Sequence, residues 1–364
     1  MFNLRVKIIL RLAVLTGALL LIQFLAAESA AIELVPQRFG DGRQPQVAVA
    51  PTGAVSIVFA HDNLVYLVQS TDEGLSFSAP AKIADVRHLM VGMRRGPRIA
   101  ATAKRILVTV PGKELFSFMS EDAGKTWSAC GQVNDKSGVA PEGLQNIAAL
   151  PDGSFYAVWL DSRNTGAQIE GSRLGPESRF WGRNVEVYTS PDKTVCECCH
   201  PSIASDGKNK LVVMWRNWLE GNRDLYKTES LDRGDHFSSA VKIGTGSWPI
   251  KACPMDGGGI IAVANSGTFS VWRRRNEIFL SSPSQPEAQL GSGTQPVLAR
   301  VNGRILSVWQ DGRTLVVKDI DRGEVRRIPG EYPALTASSD GQRAYLVWEG
   351  SEGSHTVPKF AVLQ

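Results

Sequence analysis

Three cysteines fall within four residues at Cys196-Glu197-Cys198-Cys199, and His200 and Pro201 follow at once. A fourth, Cys253, opens the run Cys253-Pro254-Met255-Asp256. Thiolate and thioether donors select copper(I), zinc or iron–sulfur clusters, so the three cysteines with Cys253, His200 and Met255 form a soft-ligand set. His88, Met90 and Met93 add soft donors upstream. The spacing is not the paired C-x-x-C of a zinc ribbon, which places copper(I) ahead of a structural zinc. Two other chemistries use the same atoms. In an oxidising compartment Cys253 can pair with one of the three as a disulfide staple. A bridge between Cys198 and Cys199, or between Cys196 and Cys198, is strained, and strained bridges are reducible and suit redox work. The fifth cysteine, Cys130, follows Trp127 closely and reads as a buried, inert thiol. Five is odd, so complete intramolecular pairing is impossible.

A second set of residues suits anions. Arg94, Arg163, Arg216 and Arg313 lie in polar loops, with Arg95 and Arg273 to Arg275 alongside. A guanidinium fork donates two parallel hydrogen bonds to a carboxylate or phosphate, so convergence of these groups implies a small anionic ligand or an acidic glycan. The alternative is that they pair with Asp161, Glu220, Asp224 and Asp311 as ordinary loop charges.

The elements that must position these residues recur along the chain. A short apolar run, a tight turn and a second apolar run ending in Val-Trp or similar appear seven times. The second runs are Ala54 to Phe59, Ile106 to Val110, Phe155 to Trp159, Leu211 to Trp215, Thr268 to Trp272, Ile305 to Trp309 and Ala344 to Trp348. Asn-Gly and Asp-Gly between apolar runs are strong hairpin signals, and no helical periodicity of useful length follows residue 31. A strand unit repeated at this spacing predicts an all-β propeller of four-stranded blades, seven by count. Residues 32–39 are available as the strand that completes the seventh blade and closes the ring.

Three turns share a finer pattern: Ser70-x-Asp72-x-Gly74, Ser120-x-Asp122-x-Gly124 before Trp127, and Ser230-x-Asp232-x-Gly234. Asp and Ser side chains hydrogen-bond turn backbone, and glycine supplies the positive φ. Asp319-Ile320-Asp321-Arg322-Gly323 is a weaker echo. The pattern S-x-D-x-G-x-[TS]-[WF] resembles the Asp box of the sialidase (neuraminidase) superfamily, also called the BNR repeat. That resemblance implies a β-propeller, with six blades in sialidases, and it implies an exo-sialidase type of glycoside hydrolase as one function. Carried onto this chain, Arg43 stands in Gly42-Arg43-Gln44-Pro45 where sialidases bind the substrate carboxylate. Asp62 stands where they keep their acid and Tyr332 where they keep the tyrosine nucleophile. The place of a further carboxylate-binding arginine reads Gly293-Thr294-Gln295-Pro296, without one. No glutamate stands out in sequence to activate Tyr332, and a tyrosine at its ordinary pKa of ~10 is a poor nucleophile without such a base.

Strand order divides the loops between two rims. The Gly turns and Asp boxes share one rim; the loops before each inner strand and after each Val-Trp strand share the other, called the top. Cys196 to Cys199, Cys253 and the arginines all fall on the top.

Length and composition bound the rest. The chain has 364 residues, enough for one large domain, and a formal charge of +4. No basic tract interleaves with aromatics, which argues against nucleic acid as a partner. Residues 1–31 read as a signal peptide, with Arg5, Lys7 and Arg11 before the apolar run Leu12 to Leu25 and small residues near Ala31. The expectation is therefore a periplasmic or secreted propeller, one domain over residues 32–364, meeting a membrane only through an uncleaved leader. Three functions fit: a binding protein with a cysteine-cluster site, a sialidase-type hydrolase, and a scaffold for another envelope protein.

Overall fold

The computed structural model of the chain describes Ile32–Glu33 and residues 42–364. The leader, residues 1–31, and most of the closing run at residues 34–39 lie outside the described residues.

The described chain folds into seven antiparallel sheets of four strands each. There is no helix among the described residues. The inner strands, in order, are Arg43–Val49, Arg98–Ala101, Gln145–Ala149, Ser202–Ser205, Gly259–Val263, Thr294–Val301 and Glu331–Ala337. Each neighbours the next, and the last neighbours the first, so the sheets form blades of a closed ring. Radial repetition leaves the inner edges short and protected around the channel. The count of seven read from the hairpins holds, against the six blades that the sialidase resemblance implies. Blade 7 takes three strands from the C-terminal end and its outermost from Ile32–Glu33, which pairs with Phe360 and Lys359.

The sequence builds the core as wedges between blades. The second strand of each blade is apolar on both faces, because each face meets a neighbouring blade. Val55–His61 and Leu211–Arg216 are buried along almost their whole length. Seven apolar clusters result, one at each blade interface, including the interface of blade 7 with blade 1. Trp159, Trp215, Trp272, Trp309 and Trp348, at the top ends of second strands, are all buried.

The Asp boxes clamp the lower rim as their residue types predict. Ser120 Oγ donates to Asp122 Oδ1 at 2.8 Å and accepts from Gly124 N at 2.8 Å. Asp122 then accepts from Thr126 N at 2.9 Å and Thr126 Oγ1 at 2.6 Å. The boxes at Ser70 and Ser230 repeat this pattern, with His236 Nδ1 in the place of the threonine hydroxyl in the last. These bonds hold the Asp72 and Asp122 carboxyls down to about 2. Glycine is required at the tip for space as well as φ. A Cβ on Gly234 would meet the Tyr156 ring of the preceding blade at 1.9 Å.

Candidate functional site

The cysteine loop lies between the outer strand of blade 3 (Val185–Tyr188) and the inner strand of blade 4. Its first residue is pinned where Cys196 N donates to Arg216 O at 3.0 Å, and the chain then turns, with Cys199 N donating back to Cys196 O at 3.3 Å. A turn closed from residue i to i+3 folds its side chains onto one another. The sulfurs of Cys196 and Cys199 stand 3.2 Å apart, those of Cys196 and Cys198 3.6 Å, and those of Cys198 and Cys199 4.0 Å. All three side chains are buried, Met255 packs against them, and all five cysteines of the chain are free thiols.

Arg223 donates from Nη1 to Cys196 Sγ at 2.8 Å, with its guanidinium carbon 4.3 Å above the Trp218 ring. Hydrogen bonding with Cys198 and Cys199, together with the Arg216 and Arg223 guanidinium groups, pulls the Cys196 thiol far below its ordinary pKa. The bond with Cys196 pushes Cys198 up, and burial pushes Cys199 up.

Not every residue of the sequence-derived soft set joins it. Cys253 is exposed and falls outside the group of sulfurs within 4.8 Å of one another, Cys196, Cys198 and Cys199, but its thiol reaches the edge of that group, where it hydrogen-bonds with Cys198. His200 turns away: its Nε2 meets Gly258 O at 3.2 Å and its ring lines the central channel. The physical reason is the following proline, which keeps His200 extended so that its side chain leaves the face used by Cys199. Met90 lies by Pro111 and Gly143, and Met93 is exposed.

The channel mouth beside the loop is built from a bulge repeated in blades 1, 6 and 7. Gln44, Gln295 and Tyr332 each precede a proline and take positive φ values of 52°, 56° and 52°. Each interrupts the register between inner and second strands. The freed amide finds an acceptor on the preceding blade. Gln44 N donates to Glu349 Oε1 at 2.8 Å, Tyr332 N to Gln310 Oε1 at 3.1 Å, and Gln295 N to Asp256 Oδ2 at 2.7 Å. Asp256 N in turn donates to Cys199 Sγ at 3.4 Å, so the sulfur loop is tied to the mouth.

Arg94 crosses the mouth. Its Nε donates to Gln295 Oε1 at 2.6 Å, its Nη2 to Gln295 O at 2.8 Å and its Nη1 to Pro333 O at 2.7 Å. It is a strut from blade 2 to blades 6 and 7, and burial lowers its pKa to about 10. The other arginines read as ligand-binding are also spent within the protein. Arg163 pairs with Asp161 at 2.9 Å and Asp135 at 3.2 Å. Arg216 donates to the carbonyls of Asp256, Arg223 and Arg273 at 3.0, 2.8 and 2.8 Å. Arg313, 75% exposed, donates to Ser351 Oγ at 2.8 Å. These four do not converge as free donors.

Of the three residues taken from the sialidase pattern, Arg43 and Tyr332 both neighbour Glu349 and Asp62 stands apart. Arg43 approaches Glu349 at 3.9 Å, and burial, with the Glu349 carboxylate, raises the pKa of the half-buried Tyr332. Asp62 is 87% exposed and sits 3.7 Å from His61. Glu349, Arg223, Asp256 and Gln295 are the site residues that the sequence reading missed. Arg223 carried a signal, since it lies in the loop after the second strand of blade 4, on the same rim as the cysteines.

The chain belongs to the BNR repeat-like domain family, which matches over residues 46–343. This places it in the sialidase/BNR-repeat superfamily that its Asp boxes suggest. No curated protein matches its sequence. Among solved structures it is similar to a protein of unknown function from Dyadobacter fermentans, with a TM-score of 0.56 and 13% identity over 92% of this chain and 97% of that one. It is also similar to YCF48 bound to a D1 peptide, with a TM-score of 0.55 and 10% identity over 93% and 96%. The SapL1 lectin in complex with α-methyl fucoside aligns with a TM-score of 0.51 and 14% identity over 80% and 97%. At these identities the likeness is one of fold.

Proposed function

We propose that this protein is an exported BNR-repeat propeller that binds a soft metal ion, copper(I), on the Cys196–Cys198–Cys199 loop of its top face. The observation that carries this reading is the set of three buried sulfurs, 3.2 to 4.0 Å apart, with a guanidinium on one of them. An ion held ~2.3 Å from each of three thiolates needs sulfurs about 4 Å apart, so a small outward relaxation suffices. Three thiolates around copper(I) leave two negative charges, and Arg216 and Arg223 both act on Cys196 with the opposite sign. Structural zinc favours four ligands, whereas the mutually close group holds three, with Cys253 exposed at its edge beside Cys198. The peptide on YCF48 and the fucoside on SapL1 are precedents for ligand binding by this fold. The basic, then apolar, leader supports export.

The test is metal and thiol analysis of full-length protein purified without oxygen and offered copper(I). One copper(I) per chain, with three thiols withdrawn from titration, is the expected result. A disulfide within residues 196–199 under the same conditions, or no copper, overturns it.

A second reading has its own observation. Arg43, Glu349 and Tyr332 meet at the channel mouth, as a sialidase-type hydrolase would use an arginine, a base and a tyrosine. Release of a fluorophore from a sialoside, lost in Tyr332→Phe, is its expected signature. Absence of turnover by the wild type removes it.

A further inference from the structure

The bore of the propeller is cationic, and its wall contains no acid. A cavity of about 320 Å³ runs between the inner strands, and its polar lining is Gln46, Arg94, Arg98, Asn146, His200 and neighbouring hydroxyls, without Asp or Glu. Arg94 and Arg98 are only 5% and 4% exposed. Arg94 spends three donors on Gln295 and Pro333, as described above. Arg98 donates to Pro97 O at 3.1 Å and to Arg94 O, both carbonyls of its own loop. A guanidinium carries five N–H donors and cannot be deprotonated in a protein, so each group keeps donors in hand.

The two arginines differ in their counter-charges. Asp256 and Glu349 act on Arg94. Arg98 feels burial and the like charge of Arg94, which push it down to about 9, and no carboxylate offsets them. Buried charges in folded proteins are paired, because an uncompensated one is strongly destabilising.

We propose that the channel holds a small inorganic anion, a halide or a tetrahedral oxyanion, on the Arg98 guanidinium beneath the Arg94 strut. The volume suits it: at about 30 Å³ per water the bore takes an anion of this size together with its hydration shell. The route in is from the Asp-box rim. There a cavity of about 920 Å³ shares Val49, Ala101 and Ala149 with the bore; its wall carries Lys104 and Arg105 together with Glu121, Asp152 and Glu177, so the selection for an anion lies at Arg98 and not at the entrance. Arg94 bars the other end. The site therefore shares neither entrance nor ligand atoms with the cysteine loop, and it stands or falls apart from copper binding.

Thermal unfolding of the full chain tests this, with chloride, bromide or phosphate titrated into the wild type and into Arg98→Met side by side. The wild-type melting temperature should rise by several degrees and saturate, since ligands that bind the native state stabilise it by mass action. Arg98→Met should abolish the saturating rise. Bromide soaked into wild-type crystals should give an anomalous peak against the Arg98 guanidinium, a readout independent of whether the variant folds. A wild-type melting temperature that does not saturate with any of these anions, a response retained in Arg98→Met, or a bore without bromide each overturns the proposal.

Discussion

The two rims of the ring are held by different kinds of hydrogen bond. On the lower rim the bonds within an Asp box join residues two to four apart, such as Ser120 to Asp122 and Gly124 to Ser120. On the upper rim the bonds that shape the mouth join Gln44 to Glu349, 305 residues away, and Arg94 to Gln295, 201 residues away. The lower rim is complete within one turn of one blade. The upper rim comes into being only when the blades have closed into a ring. The site is thus a property of the whole molecule, and the Asp boxes are properties of their own octapeptides.

That contrast can be broken at graded points. The largest effect is expected at Arg223→Gln, which removes the cation from Cys196 without touching a sulfur. Loss of an outer partner of a metal ligand weakens metal binding by about 10–100-fold, and competition with a copper(I) chelator reads it. An unchanged affinity would show that the guanidinium does not support the sulfur set. Next comes Glu349→Ala, which strands both the Gln44 amide and the Gln44 side-chain nitrogen, each bonded to the carboxylate at 2.8 and 2.7 Å. A buried donor left unpaired costs about 1–3 kcal/mol, measured by denaturant unfolding. If the variant is as stable as the wild type, the mouth is not held by its cross-ring bonds.

The smallest effect belongs to Asp122→Ala. Its partners Thr126 N and Thr126 Oγ1 are exposed, so water replaces those bonds; the buried Ser120 Oγ alone loses its acceptor, and the expected drop in Tm is on the order of 2 °C. Its pH dependence sharpens the point. The folded carboxyl sits at about 2, below its ordinary 3.8, because Thr126 and Ser120 hydrogen-bond the charged form. The stability it contributes is present above pH ~4 and is lost as the pH falls through about 2. Wild type and Asp122→Ala should therefore converge in Tm as the pH approaches 2. A constant difference would mean that the aspartate acts through something other than its charge.

The same contrast explains what could be read from the chain alone. Blade number and rim assignment rest on Asp-Gly and Asn-Gly turns and on alternation along strands, all encoded within a few residues. The cysteine cluster was legible for the same reason, since Cys196 and Cys199 meet through a single turn. Arg94 and Arg216 were legible as donors, but their acceptors are backbone carbonyls or side chains contributed by other segments, which residue type does not announce. His200 was grouped with its chain neighbours, whereas the pre-proline backbone sends it into the channel. Glu349 became visible as a partner of Gln44 and Tyr332 only through closure of blade 7 onto blade 1.

Blade 7 also sets a clock. Its outermost strand, Ile32–Glu33, precedes every other described strand, yet it pairs with Phe360 and Lys359 near the other end of the chain. In equilibrium terms so long a loop costs little more than a shorter one, about 0.6 kcal/mol for each doubling. Kinetically the distance is expensive, because pairing across a long sequence separation slows folding. The first strand to leave the ribosome must wait unpaired while six blades and most of a seventh assemble. During that interval the outer edge of blade 7 at His355–Leu363 lies uncovered, and the arrival of Ile32–Glu33 sets how long that stretch stays exposed to other chains.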